Sequence, residues 1–176
     1  FSPVEKFSDF PFNMEFGLVE IRLDTRTHSV KRRPICSGTN LEFGVFNQAY
    51  IGRKTRYAYY VVGRNLLLFT GVVKLDLMHL EERPGGQECI VGKREFGEGK
   101  YGGEPCFVGA RGAESEDHGY LLCLVSNEKG GVSELWVLDA LSPTLEVVAI
   151  VELPVHIPLG FHGCFINEEQ LVQQKA

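Results

Sequence analysis

The sequence predicts an all-β protein assembled from four-stranded antiparallel units in series. Three observations carry that reading. The apolar stretches are short, rich in Val, Ile, Leu, Tyr and Phe, and separated by clusters of Gly, Pro, Asn, Asp and Ser. Helical periodicity is almost absent. One order of strand-like segments recurs with a period near 60 residues.

The elements follow in order. Leu18–Leu23 (LVEIRL), with the stretch running on through THSVKRRPI, has the form of the last two strands of a unit. A complete unit begins at Asn40 (NLEFGVFN), continues through RYAYYVVG and GVVKLDL, and ends in ECIVGKREF. A second begins at Gly102 (GGEPCFVGA), continues through GYLLCLVSN and SELWVLDAL, and ends in EVVAIVEL. A third starts at Gly160 (GFHGCFI) and stops after one strand. The pairs Leu23-Asp24, Leu75-Asp76 and Leu138-Asp139 close the third strand of successive units. Only the tail, Asn167–Lys175, is rich in helix formers.

Four-stranded antiparallel units repeated along a chain read as blades of a β-propeller, with a sandwich as the alternative packing of the same strands. About two and a half blades plus a closing inner strand do not complete a ring. An unclosed propeller exposes bare sheet edges. Residues 1–176 are therefore expected to be the C-terminal part of one larger propeller domain. The start at Phe1, with neither a basic opening nor an apolar signal core, agrees with a piece of something longer.

Composition narrows the function classes. The chain has 44% hydrophobic and 23% charged residues, which is ordinary for a globular protein. Lys and Arg number 18 against 23 Asp and Glu, a net charge of −5, so binding to nucleic acid through phosphate neutralisation is not expected. The longest apolar run, Leu66–Phe69 leading into Gly71–Val73, falls far short of the ~20 residues a membrane-spanning helix needs. The five cysteines (Cys36, Cys89, Cys106, Cys123 and Cys164) are odd in number and never spaced C-x-x-C. They are expected to be reduced, small apolar core residues and not a disulfide framework.

Aligning the first strands of the three units singles out Glu42, Glu104 and His162, separated by 62 and 58 residues. Phe107 and Phe165 each follow three places after the last two. In a propeller the first strand of each blade lines the central axis, so these three side chains are expected to converge. Two carboxylates and an imidazole suggest a metal: the imidazole binds through one nitrogen while a carboxylate holds the other N–H. A histidine between Phe and Gly can equally be a hydrogen-bonded core residue.

The motifs resemble those of the carotenoid cleavage dioxygenases. LPVHIPLGFHGCFINEEQL is similar to that family's closing signature, Leu-Pro-x-Arg-Val-Pro-Tyr-Gly-Phe-His-Gly-x-Phe. YGGEPCFV resembles its Gly-Gly-Glu-Pro segment, NLEFGVFNQAYIGRKTRYAYYV its Asn-Leu-Glu stretch, and ESEDHGYLLCLVSNEKGGVSELWVLDA its acidic-Gly-Tyr strand and successor. The resemblance runs from about Val19 to Leu171. It implies a seven-bladed propeller with a helical cap and an axial Fe(II) held by four histidines, which three glutamates orient. It implies use of O2 to split a double bond of a carotenoid or apocarotenoid. By motif, His162 stands for the last iron ligand, Glu42 and Glu104 for two orienting glutamates, and Phe161 for a packing neighbour. The other three ligands and the membrane-touching surface would lie upstream, and a plastid location, with the cytoplasm as alternative, is implied in the same way.

The chain also departs from the family pattern. His156 stands for the usual Arg, Leu159 for Tyr, Ser126-Asn127 for His-Asp and Gly44 for a Pro of some branches, and VVGRNLLLFTG lacks a Pro-x-Pro-Lys. These changes keep a non-catalytic interaction scaffold, or a decayed family member, as the alternative. His28, His79 and His118 read as exposed turn or loop residues, and Lys31-Arg32-Arg33 as a solvated strand exit. The GEGKYGGEP glycines lack the G-K-[ST] and helix of a phosphate loop. Cys106 and Cys164 take equivalent places two residues after Glu104 and His162, with no assigned role. Tyr57, Tyr59 and Tyr60 fit a pleated strand.

Overall fold

A computed structural model describes residues 16–65, 68–78, 89–160 and 162–174. Eleven strands and one short α-helix are found among them. Strands β1 (Leu18–Asp24) and β2 (Ser29–Ile35) form a separate antiparallel hairpin in which Leu18 pairs with Ile35 and Asp24 with Ser29. This is the expected pair of outer strands. The Lys31-Arg32-Arg33 run lies within β2 rather than at its exit, and Arg33 is paired with Glu20 at 2.9 Å.

Two four-stranded meanders follow. The first comprises β3 (Leu41–Val45), β4 (Tyr57–Asn65), β5 (Leu68–Asp76) and β6 (Ile90–Glu95), each antiparallel to the next. A short strand, β7 (Lys100–Gly102), comes next. The second meander is β8 (Cys106–Gly109), β9 (Gly119–Asn127), β10 (Val132–Asp139) and β11 (Val147–Glu152). These are the two complete blades the repeat predicts. The sequence pattern does not distinguish β7. It pairs with β5 through Phe69 and Gly102 and with β9 through Lys100–Gly102, so it stitches the blades into one sheet path.

The third unit differs from expectation. Gly160 and residues 162–166 pair with no backbone ladder and carry no strand. The tail then forms α1 (Glu168–Gln173), closed at its start by a reciprocal pair: Asn167 accepts from the Gln170 N–H and Gln170 accepts from the Asn167 N–H.

The core sits between the blades. Tyr59, Val61, Phe69 and Val72 from the first pack with Leu121, Cys123, Val125, Trp136 and Leu138 from the second. In β9 alternate side chains Leu121, Cys123 and Val125 are at most 1% exposed while Tyr120 and Leu124 are 40% and 44% exposed, as the period of two requires. Lys100, Asn127 and the Trp136 indole N–H all donate to the buried Glu134 carboxylate, the indole at 2.7 Å. This network seats β7 against the second blade. Gly102 is required there, since a Cβ would come within 2.5 Å of the Phe96 ring.

A second set of polar contacts fixes one blade against the other. Lys74 of β5 is 4% exposed; its Nζ donates to Asp117 Oδ2 at 2.6 Å and to the Ala140 carbonyl at 2.8 Å, and it lies 4.3 Å from the Tyr57 ring centre. The neighbouring Glu116 accepts from the Arg56 and Tyr57 N–H groups at the start of β4. Burial opposes charge on Asp117. Hydrogen bonds from Lys74 and Ser115 more than offset it and hold the carboxyl below its ordinary value. His118, expected to be exposed, is half-buried and its Nδ1 accepts from the Glu114 N–H. His28 is exposed in a turn at φ 53. His79 and Phe161 lie outside the described residues.

The cysteine expectation is corrected in part. Cys36 and Cys89 form a disulfide with Cα atoms 6.7 Å apart. They meet because Cys36, just after β2, and Cys89, just before β6, both pack into one apolar cluster with Ile35, Leu41, Val73 and Leu75. That encounter spans 53 residues, so no local spacing reports it. Cys106, Cys123 and Cys164 are free thiols.

Two stability tests follow from these contacts. Lys74→Met, which strands a buried carboxylate, is expected to cost about 3–5 kcal/mol in chemical denaturation, while Lys74→Met with Asp117→Asn recovers most of it. Because the folded Asp117 carboxyl is lowered, its contribution is complete above the unfolded value near 3.8 and is lost as pH falls through the folded one. Asp117→Asn should therefore flatten the acid limb of the stability curve. Under oxidising conditions Cys36→Ser should cost up to about 4 kcal/mol, the chain-entropy value for a 53-residue loop. Equal stability of variant and parent would show that the bond is not formed.

Candidate functional site

Backbone architecture brings the site together from three directions. Glu42 and Phe43 lie in β3, the first strand of the first blade, where the register against β4 shifts between Glu42 and Val45. Phe43 adopts φ 51 in this irregularity. A bulge re-aims side chains, and the Phe43 ring is set edge-on to the His162 ring at 5.4 Å between centroids and to Phe69 at 5.2 Å. Glu104 precedes β8 by two residues, on the turn out of β7.

His162 is delivered by the chain leaving β11. Leu153 N–H donates to the Ser133 carbonyl, Ile157 N–H donates to Ser133 Oγ at 2.8 Å, and His156 Nδ1 lies 3.2 Å from the same oxygen. A buried serine on β10 thus steers the segment back across the blade. It then passes so close to the second blade that a Cβ on Gly103 would sit 2.9 Å from the Gly160 carbonyl oxygen. Only a glycine permits that approach.

At the end of this path Glu104 Oε2 accepts the Gly163 N–H at 3.1 Å and lies 3.3 Å from His162 Nδ1. The Glu104 side chain is 19% exposed and that of His162 76% exposed. An Nδ1–H donated to the carboxylate fixes the tautomer and leaves Nε2 with its lone pair for a ligand. Beside the pair lies a cleft of about 160 Å³ with Leu124, Val125, Ile157, Pro158 and Leu159 among its walls.

Of the three residues singled out in the sequence, the structure pairs Glu104 with His162. The Glu42 carboxylate instead accepts from the Phe43 N–H at 3.3 Å. Among the described residues, no group of three or more His, Cys, Asp or Glu side chains is arranged to hold a metal ion. The donor set of this chain accordingly fits one imidazole ligand with its orienting carboxylate. Phe43 escaped the sequence reading because its aim depends on the bulge, although the Phe-Gly step after Glu42 was a signal of irregular backbone.

The family model described as retinal pigment epithelial membrane protein matches residues 3–167. The chain belongs to this carotenoid oxygenase family. It is 43% identical over 157 residues to the rice 9-cis-epoxycarotenoid dioxygenase NCED1, chloroplastic, covering 88% of this chain and 24% of that protein. It is 43% identical over 178 residues to the zeaxanthin 7,8(7',8')-cleavage dioxygenase, chromoplastic, of Crocus sativus, covering 99% and 47%. Among solved structures, a threonine-to-alanine mutant of the Synechocystis apocarotenoid oxygenase aligns with a TM-score of 0.75 and 29% identity over 90% of this chain and 32% of that one. The chain therefore spans about a quarter to a half of the length of these curated relatives. A cobalt-substituted form of the same oxygenase aligns with a TM-score of 0.74. The fold is thus that of part of a carotenoid oxygenase propeller.

The Glu104 contacts can be tested directly. Glu104→Ala removes the acceptor for Gly163 N–H and the partner of His162, so amide exchange at residues 162–165 should accelerate while β9 and β10 exchange as before. Unchanged exchange at Gly163 would show that other contacts hold the segment.

Proposed function

We propose that this chain is the C-terminal part of an Fe(II)-dependent dioxygenase that cleaves a carbon–carbon double bond of a carotenoid or apocarotenoid with O2, within a single propeller domain. The observation that carries the reading is the pairing of His162 with Glu104, 58 residues apart, beside the re-aimed Phe43. His162 would hold the ion through Nε2. Glu104 would fix the ring and its tautomer, and Glu42 would orient a further histidine contributed from outside this chain. The ion would supply O2 binding and activation.

The chain's own groups account for the remainder. A polyene has no charged handle, so its binding must come from apolar burial, worth about 25 cal/mol per Å². Phe43 and the cleft walls Leu124 and Leu159 present such surface beside His162. The proposed location is a plastid, which the chloroplastic and chromoplastic names of the relatives support. Contact with a membrane surface, from which an apolar substrate is drawn, belongs to the remainder of the protein. No helix among the described residues is long and apolar enough to cross a membrane.

The test uses the full-length protein. His162→Ala should abolish polyene cleavage and lower bound iron. Glu104→Gln should weaken iron affinity or turnover by about 10–100-fold, as expected for a carboxylate that orients a ligand histidine. Parent-like iron content and turnover in both variants would refute the assignment. A parent protein that folds but neither binds iron nor turns over would favour the scaffold.

A further inference from the structure

Two of the three free thiols belong to the segments that Glu104 ties together. Cys106 opens β8 two residues after Glu104, and Cys164 follows His162 by two. Three contacts lay these segments side by side. Gly160 abuts Gly103, Glu104 accepts from the Gly163 N–H at 3.1 Å, and the Phe165 N–H is directed at the Cys106 thiol. Cys164 is therefore held between two residues whose amides are both engaged by the Glu104–Cys106 stretch. The Cys164 sulfur is near enough to act electrostatically on the Cys106 thiol, so the two cysteines face each other across these segments. Cys164 is exposed and meets solutes directly, whereas Cys106 is half-buried. Cys123 lies deeper, at 0% exposure in the core.

We propose that Cys106 and Cys164 form a reversible disulfide that fastens the His162-bearing segment to the start of β8. A hydroperoxide is the oxidant. The exposed Cys164 sulfur attacks its terminal oxygen, the O–O bond breaks, and Cys164 sulfenic acid and an alcohol result. The Cys106 sulfur then attacks the Cys164 sulfur, forming S–S and releasing water. In sum, two thiols lose two electrons and two protons, and the hydroperoxide becomes an alcohol and water. A dithiol reductant reverses the bond. This inference rests on segment geometry and does not need the metal.

The test treats the full-length protein with hydrogen peroxide, blocks remaining thiols with iodoacetamide and maps the peptides without reduction. The expected result is a peptide pair linking residues 106 and 164, lighter by two hydrogens than its parts and separated by dithiothreitol, with loss of alkylation at both cysteines. Cys164→Ser, an exposed change that spares the fold, should leave Cys106 fully alkylated after peroxide. Cys106→Ser should let Cys164 proceed to the sulfinic acid. A Cys106–Cys123 link, sulfinic acid at Cys164 in the parent protein, or full alkylation of both cysteines after peroxide would each overturn the proposal.

Discussion

The angle between the two blades depends on a buried cation. Lys74 leaves β5 two residues before its end with almost no solvent contact and places its ammonium against Asp117, the Ala140 carbonyl and the face of Tyr57. Two of these partners come from the second blade, on either side of its β9–β10 pair. A buried ion pair is weak evidence for stability, because well-packed apolar residues can often replace it. Its geometric effect is different. An ammonium with fixed acceptors permits one docking of the blades, whereas leucines tolerate several. Glu116, which accepts from the Arg56 and Tyr57 amides where the chain enters β4, supplies an independent restraint on the same joint.

The site inherits that restraint. Phe43 stands on the first strand of one blade, Glu104 just ahead of the first strand of the other, and His162 on a segment with no strand of its own. A slip between blades would separate Phe43 from His162 while leaving each blade internally intact. Within the second blade, Glu104 does what a backbone ladder does elsewhere. It accepts from a backbone amide and holds the imidazole with one oxygen. Ser133 plays the parallel role upstream, taking the Ile157 amide. The closing segment is thus placed by side chains, and its histidine is more sensitive to single substitutions than a residue in a ladder.

Much of the fold was legible because strands write their burial into the chain with a period of two. β9, with Leu121, Cys123 and Val125 inward and Tyr120 and Leu124 outward, is the plainest case. The repeat gave the blade order, and the equivalent positions gave Glu104 and His162. What escaped detection shares one property: it is decided by atoms distant in the chain. Three-residue β7 has no pattern long enough to see. Cys36 and Cys89 meet only because both pack into one apolar cluster with residues of β2, β3 and β5. Phe43 points at His162 because of a register shift, and Glu42, equivalent in the repeat, accepts from its neighbour's amide. The strand expected at Gly160 is absent among the described residues, and there the Gly163 amide donates to the Glu104 carboxylate.

The departures from the family pattern gain a physical location from these contacts. Ser126 and Leu159 both line the cleft beside His162, and His156 reaches Ser133, the direct cross-strand partner of Ser126. Three changes well separated in sequence therefore act on one volume. Each replaces a larger polar or charged group by a smaller or less charged one, so the wall next to the imidazole is less polar than the pattern would make it. Glu104, His162 and the glycines that allow their approach are untouched. The departures at Gly44 and Asn127 lie outside these walls, Asn127 donating to Glu134.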